Sequence, residues 1–329
     1  MRSILIFNPG SGLSLLAENH QTPEESETAI LTALRAVGIE PEVWHTTPEE
    51  YGYGLATRAA QEDAELVIAA GGDGTLHAVA SGLIGTRSIL GILPLGTMNN
   101  IARSLEIPTN LEQACAIIAQ GTTWQVDAGV VNGKTFLEVA GIGLEAALFP
   151  AAENVKKLGL LSTIRGVIEG LYTLFVFKPA HFRASFDGRR SRRFHAIQIS
   201  VCNSPYYGAH FHIAPRASMN DGLLDVLIYK NFSKLAYLRH AISISQGRRI
   251  LKPRVKQFKV KTLTISSEEP VVVHADGMQQ GYTPASINVI HKALNVRVPQ
   301  HITGKHTSKA RTRKRRHKTD HKEDITHVR

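Results

Sequence analysis

The sequence predicts two domains: an α/β domain with a parallel sheet between two helical layers, then an all-β domain of sandwich or barrel-like form, with a site in the cleft between them. Three observations lead there. Strand-like and helix-like segments alternate as far as residue 121, the pattern of a parallel sheet covered by helices. From residue 123 onward short β-rich runs dominate, with one helical interruption. Three glycine-rich turns, "NPGSG", "GGDGT" and "PLGT", each follow a strand-like run in the first half. In open parallel sheets, ligands bind beyond the carboxyl ends of the strands.

The elements follow in order. "SILIF" (3–7) is a short apolar run closed by a turn and predicts the first strand. Residues 23–37 carry Ile30, Ala33, Leu34 and Val37 at helical spacing. "PEVWHTT" (41–47) predicts a second strand, residues 51–63 a helix and "AELVIAA" (64–70) a third strand. After "GGDGT" a helix presents Leu76, Val79, Ala80 and Leu83. "SILGILPLG" (88–96) predicts a fourth strand, "NNIARSL" opens a helix, and "NLEQACAIIAQG" forms another that ends at Gly121. Residues 123–145 then read as a hairpin turning at Asn132–Gly133. Further strands are expected at 181–188, 195–203, 223–229, 260–266, 270–277 and 294–299. The interruption, 155–177, sets Leu160, Leu161, Ile164, Val167, Ile168, Leu171 and Phe175 on one side of a helix. The domains are expected at 1–122 and 123–303, with the last strand able to return to the first domain, followed by a disordered basic tail, 304–329.

Charge and cysteine usage narrow the function. The chain carries +10, but ten Lys/Arg against three Asp/Glu lie in the tail, which leaves +3 on residues 1–303. A body so weakly charged gives no footprint for specific nucleic-acid binding. The two cysteines, Cys115 and Cys202, sit in apolar surroundings and suggest core residues in a reducing cytoplasm. No uncharged apolar run reaches the length of a membrane span. A cytoplasmic protein is expected, at most peripheral at a membrane, and a homodimer is compatible.

Glycine lets a ligand approach the backbone, and a helix start offers unpaired N–H groups and a positive dipole end. "NPGSG" and "GGDGT" together therefore suit a phosphate chain. Asp73 would repel phosphate unless a Mg²⁺ lay between them, and Thr75 and Thr97 offer hydroxyls. Neither a P-loop nor a dinucleotide fingerprint is present.

With "NPGSG" at 8–12, "GGDGT" at 71–75, "PLGTMNN" at 94–100, "VDAG" at 126–129, "NDGLLDV" at 220–226 and "HADGM" at 274–278, the chain resembles the diacylglycerol kinase catalytic-domain family over about residues 1–300. It looks closest to the bacterial lipid kinases of that family. The resemblance implies an ATP- and Mg²⁺-dependent lipid kinase acting on diacylglycerol or a related lipid. It maps the nucleotide to Asn8, Pro9, Gly10, Ser11, Gly12, Gly71, Gly72, Asp73, Gly74, Thr75, Thr97 and Asn99, with Thr46, or its neighbour Thr47, before the second helix. It maps a Mg²⁺ site to Ser218, Asp221 and the carbonyl of Leu223. The family's proton acceptor is the glutamate of an Asp-Gly-Glu triplet; this chain reads Asp276–Gly277–Met278. A thioether is no base, so the expected catalytic set is Asp276, Asp73 and the position of Met278.

Two other family carboxylates become Ala78 and Asn100, and His77 stands where the family carries asparagine. Three readings follow: Asp276 serves as base, His77 takes a role, or the protein binds nucleotide and lipid without turnover. An NAD kinase-like enzyme shares the "GGDGT" logic and is the remaining alternative. The expected partner is a lipid at a membrane surface. The segment 155–178 can lie on an anionic surface or pack on the β core, and the tail "KARTRKRRHK" can attract anionic lipid. His210 and His212 lack a third nearby ligand for a metal.

Overall fold

The fold was analysed in a computed structural model, in which residues 2–11, 22–148, 160–208, 211–230, 233–245 and 255–301 are described. The expected tail and Gly12 lie outside these residues, as do His210 and the start of the 155–177 helix. Strands β1 (Ser3–Phe7), β2 (Glu42–His45), β3 (Leu66–Gly71) and β4 (Ile89–Pro94) form a parallel sheet in the order β4-β3-β1-β2. β1 and β3 are buried along their whole length, as continuous apolar runs between two helical layers must be. Helices α1 (Pro23–Ala36) and α5 (Leu111–Gln120) pair on one side of the sheet. α2 (Tyr53–Gln61) and α3 (Asp73–Leu83) pair on the other. A capping box starts α1: the Thr22 hydroxyl accepts from the Glu25 N–H, and the Glu25 carboxylate accepts from the Thr22 N–H. Gly52 (φ +117°) lets α2 meet α3, since a Cβ there would lie 2.8 Å from Val79 Cγ2. The short α4 (Asn100–Ser104) completes this domain.

The second half is a sandwich of antiparallel strands. β5 (Thr122–Val131) and β6 (Lys134–Phe136) form a hairpin through Asn132 and Gly133, both at positive φ, as an Asn-Gly turn favours. β7 (Val139–Gly143) follows, residues 144–148 begin a helix, and α6 (Leu160–Val176) leads to β8 (Ala180–Phe186) and β9 (Arg192–Cys202). Then come β10 (Leu224–Lys230), α7 (Lys234–Ser245), β11 (Val255–Val260), β12 (Thr262–Ser267), β13 (Val272–Ala275), β14 (Met278–Tyr282) and β15 (Ala285–Val298). One buried cluster, including Phe136, Phe182, Val226 and Ile287, fills the sandwich. A second, with Leu144, Leu174, Ile197 and Tyr229, lies under the helices.

β15 joins the two halves. Its first part pairs antiparallel with β12 and β5, and its second part runs parallel to β4 at Asn295 and Val296. A bulge between Ile290 and Leu294 separates the parts, with Lys292 at φ +54°. Every strand thereby belongs to one hydrogen-bonded sheet.

The α/β and β-sandwich classes match the sequence reading, with four differences. The expected strand 260–266 is β12, and an unanticipated strand, β11, precedes it; the two separate at Lys261 and pair with different neighbours. β14 and α7 were not anticipated, and β15 begins nine residues earlier than the apolar run that signalled it. The stripe residues of α6 whose side chains are described, Ile168, Leu171 and Phe175, face solvent, and the buried Leu174 lies outside the stripe. Both cysteines are buried and unpaired.

Candidate functional site

The three glycine-rich turns leave adjacent strands β1, β3 and β4 at the same end of the parallel sheet. They are tied to one another. The Asn8 N–H donates to the Ala70 carbonyl (3.0 Å), and the Leu95 N–H donates to the Gly71 carbonyl (2.9 Å). Asn8 Nδ2 donates to Thr75 Oγ1 at 2.8 Å, fixing the first turn to the first turn of α3. Asn8 Oδ1 accepts from the Gly10 N–H and Asn8 O from the Ser11 N–H, which curls 8–11 into a compact loop. Gly72 and Gly96 meet backbone to backbone: a Cβ on Gly96 would lie 2.6 Å from Gly72 Cα. Asn99, at φ +49°, closes the third turn by exchanging hydrogen bonds with Gly96.

Gly72 caps α3, so the N–H groups of its first turn, at Asp73, Gly74 and Thr75, open the helix where no intrahelical partner exists. With the dipole behind them they suit an anionic oxygen chain. Pro9, Gly10 and Ser11 border this opening, Gly74 and Thr97 are exposed, and Gly71 and Thr75 are buried beneath it. Thr46 is buried, and its N–H donates to the Phe7 carbonyl. Thr47 is exposed, and its hydroxyl accepts from the Glu50 N–H. The residues present therefore fit a polyphosphate.

Asp73 is placed differently from a residue that simply points at a metal. Its Oδ1 accepts the Ile101 N–H at 3.2 Å, so it caps α4 and binds the second turn to the third. Burial pushes its carboxyl above the usual value; the backbone N–H groups of Ile101, Asn100 and Asn99 oppose this, and the Asp276 charge adds to it. Asn100 reaches across the cleft, donating from Nδ2 to the Gly208 carbonyl at 2.9 Å.

Asp276 faces α3 from the β13–β14 turn, at φ +43°. Its carboxylate accepts the backbone N–H groups of Leu137 (2.6 Å), Glu138 (3.0 Å) and Val139 (2.9 Å), and its side chain is only 3% exposed. Burial raises its pKa, opposed by His77 and those N–H groups. His77 Nε2 lies 3.6 Å from Asp276 Oδ2 and 3.1 Å from the Thr135 carbonyl. Met278 is half exposed and carries no group that accepts a proton.

The expected metal residues lie on the turn before β10. There Ser218 Oγ donates to Asn220 Oδ1 (3.0 Å), and Asp221 Oδ1 accepts the Leu223 N–H (3.2 Å). The ammonium of Lys259 lies 2.7 Å from Asp221 Oδ2 and 3.0 Å from Asp225 Oδ2. The cation that stands beside both carboxylates is the chain's own ammonium, and a Mg²⁺, which requires near-octahedral oxygen at about 2.0–2.1 Å, would have to displace it. Among the described residues no cluster of three His, Cys, Asp or Glu is suited to a metal.

Two carboxylates to which the sequence assigned no role are engaged in the β half, one fully buried and one largely covered. Asp127 of β5 is fully buried; its oxygens accept from His291 Nδ1 (2.7 Å), the Lys292 N–H (2.8 Å) and the Gly222 N–H (2.7 Å). It thus pins the β15 bulge to the turn before β10. The "VDAG" motif pointed to it without revealing its partners. Glu145 begins the helix after β7. Its Oε2 accepts from Ser200 Oγ (2.6 Å) and Gln198 Nε2 (2.5 Å), and its Oε1 lies 3.7 Å from His274 Nε2.

Glu145 and His274 give a pH prediction. Burial pushes the Glu145 carboxyl from 4.5 to about 7, against the hydrogen bonds from Ser200 and Gln198. Its contribution to stability is full below 4.5 and is lost as pH rises to about 7. Burial lowers His274 from 6.5 to about 4, so its contribution is full above 6.5 and is lost as pH falls to about 4. Between 4.5 and 6.5 the two slopes cancel. Glu145→Gln should expose the histidine slope, with stability falling by about 1.4 kcal/mol per pH unit on acidification below 6.5. Urea unfolding across this range checks it; equal slopes in variant and wild type would contradict it.

The diacylglycerol kinase catalytic domain matches residues 2–131, and the YegS C-terminal NAD kinase beta sandwich-like domain matches residues 139–298. The diacylglycerol kinase of Bacillus subtilis (strain 168) is 27% identical over 304 residues, spanning 91% of this chain and 97% of that protein. The diacylglycerol kinase of Staphylococcus carnosus (strain TM300) is 28% identical over 306 residues, 92% of this chain and 96% of that one. A crystal structure of a diacylglycerol kinase from Bacillus anthracis str. Sterne shares the fold, with a TM-score of 0.70 at 23% identity over 90% of this chain and 96% of that one. Both halves of the chain thus have their counterparts in one group of proteins: the first carries the diacylglycerol kinase catalytic domain, the second the YegS C-terminal domain, and the chain is a phosphotransferase with an alcohol-group acceptor, as its diacylglycerol kinase relatives indicate.

Proposed function

We propose that the protein transfers the γ-phosphoryl group of ATP, taken up as its Mg²⁺ complex, to the hydroxyl of a lipid, diacylglycerol or a close relative. The observation that carries this is the convergence of the three glycine-rich turns on the opening of α3, with Asp276 facing His77 one turn further along that helix. Phosphoryl transfer asks the protein mainly to position donor and acceptor and to take up a proton. Asn8–Ser11, Gly72–Thr75, Thr97 and Thr46 border the phosphate chain in this reading, and Asp73 holds the turns at a fixed separation through α4.

For the proton, the geometry favours His77 over the Asp276 expected from the sequence. Each oxygen of Asp276 already accepts backbone N–H groups. A carbonyl only accepts, so the contact between His77 Nε2 and Thr135 O requires the hydrogen on Nε2 and leaves a lone pair on Nδ1. His77 therefore accepts the proton of the attacking hydroxyl, and Asp276 stabilises the resulting imidazolium.

Access to a lipid follows from α6. Ile168, Leu171, Tyr172, Phe175 and Val176 are exposed along this helix, with Arg165 and Lys178 also exposed. Such a face suits the headgroup boundary of an anionic bilayer, with the protein acting peripherally at the cytoplasmic side. Among the described residues no helix is long and apolar enough to cross a membrane. Replacing Tyr172 and Phe175 together with aspartate should lower sedimentation with anionic vesicles at least about tenfold, by losing two aromatic anchors. Unchanged sedimentation would remove α6 from the membrane contact.

The activity is tested with purified protein, γ-labelled ATP, Mg²⁺ and mixed micelles of diacylglycerol, with NAD as the control acceptor. Label in the lipid fraction supports the reading; label in NAD alone contradicts it.

A further inference from the structure

We propose that Lys259 is the resident cation of the turn before β10, so that this chain folds around its own ammonium where its relatives' pattern suggests a divalent metal. The placement is built into the sheet. β10 and β11 are antiparallel, and Asp225 and Lys259 are direct cross-strand partners. From that position the lysine stem reaches both carboxylates of the turn region, at 2.7 Å for Asp221 and 3.0 Å for Asp225. Asp225 is 6% exposed as a residue. A carboxylate so covered requires a partner, and among the described residues Lys259 is the cation in ion-pair contact with it.

Two further groups of the turn have partners within the chain. Ser218 Oγ is engaged with Asn220, and the second oxygen of Asp221 holds the Leu223 N–H. On the opposite side, Gly222 (φ +69°) gives its N–H to the fully buried Asp127. The turn is therefore held from both sides by charges of the chain, Lys259 on one and Asp127 on the other. A Mg²⁺ bound to Asp221 would lie beside the ammonium, and at such separations repulsion between the two cations is strong. Binding would first have to expel Lys259 from two ion pairs.

The role of Lys259 is to position the turn, and through Asp127 the β15 bulge that links the two halves. The inference does not depend on the identity of the lipid or on turnover.

The experiment uses nucleotide-free full-length protein. Thermal unfolding in millimolar MgCl₂ and in EDTA should give the same Tm, and Mn²⁺ electron paramagnetic resonance should show no bound ion sensitive to Asp221→Asn. Lys259→Met, which keeps the stem and removes the charge, should lower Tm and make it rise with added Mg²⁺. Lys259→Arg should restore the Mg²⁺-independent behaviour. If Lys259→Met does not fold while Lys259→Arg does, the cation is indispensable and the proposal stands. A wild-type Tm that rises with Mg²⁺ and falls with EDTA would overturn it. So would a bound Mn²⁺ lost in Asp221→Asn, or a Lys259→Met variant with wild-type Tm.

Discussion

Gly96→Val is expected to reduce phosphoryl transfer by about two orders of magnitude or more while leaving the protein folded. The first atom of the new side chain would lie 2.6 Å from Gly72 Cα, and that neighbour is backbone, with no rotamer to yield. The second and third turns must therefore separate by several tenths of an ångström or more. Displacements of about 1 Å in positioning elements cost on the order of 10²-fold in rate. The loss should appear first as weaker nucleotide binding, measured by calorimetry, with circular dichroism reporting an intact fold. Wild-type affinity in this variant would show that the turns do not jointly hold the nucleotide.

The second large effect is expected at the pair formed by His77 of α3 and Asp276. His77→Ala should lower kcat by about 10²–10⁴-fold, the range for removing a general base, with little change in the KM for ATP. Asp276→Asn should act differently. Its amide nitrogen would be turned toward at least one of the N–H groups of Leu137, Glu138 and Val139. A buried donor left without an acceptor costs about 1–3 kcal/mol, so this variant should lose stability as well as rate. The two variants separate the roles: a histidine base predicts a large loss of kcat in His77→Ala, whereas near wild-type kcat there, with the loss confined to Asp276→Asn, would return the proton to Asp276.

What could be read from the sequence and what could not divide along a physical line. The three turns were legible because their chemistry is local: consecutive glycines, an aspartate at the first helical position and a threonine two residues on. The apolar runs of β1, β3 and β4 were legible because strands covered on both faces need nothing but apolar residues. The β12 and β15 boundaries depend on which strand lies alongside. Lys261 marks a change of partner rather than a change of composition, and the first part of β15 carries Asn288, His291 and Lys292 because part of it lies open. Pairing between distant segments was equally hidden. Asp276 beside His77, Lys259 beside Asp225, and Asp127 beside Gly222 are set by register, which no single segment specifies. Asp73 shows what a motif leaves unsaid: its place in "GGDGT" points to the phosphate site, and the fold adds a cap for α4 through Oδ1.

The most direct test of the central claim is single-turnover transfer from γ-labelled ATP to diacylglycerol in mixed micelles, with wild type and His77→Ala side by side. The account predicts a labelled phospholipid from wild type and a rate lower by about 10² or more in the variant at unchanged ATP affinity. Tight ATP binding by the wild type with no label in any lipid would contradict it, and would identify the cleft as a binding site without transfer.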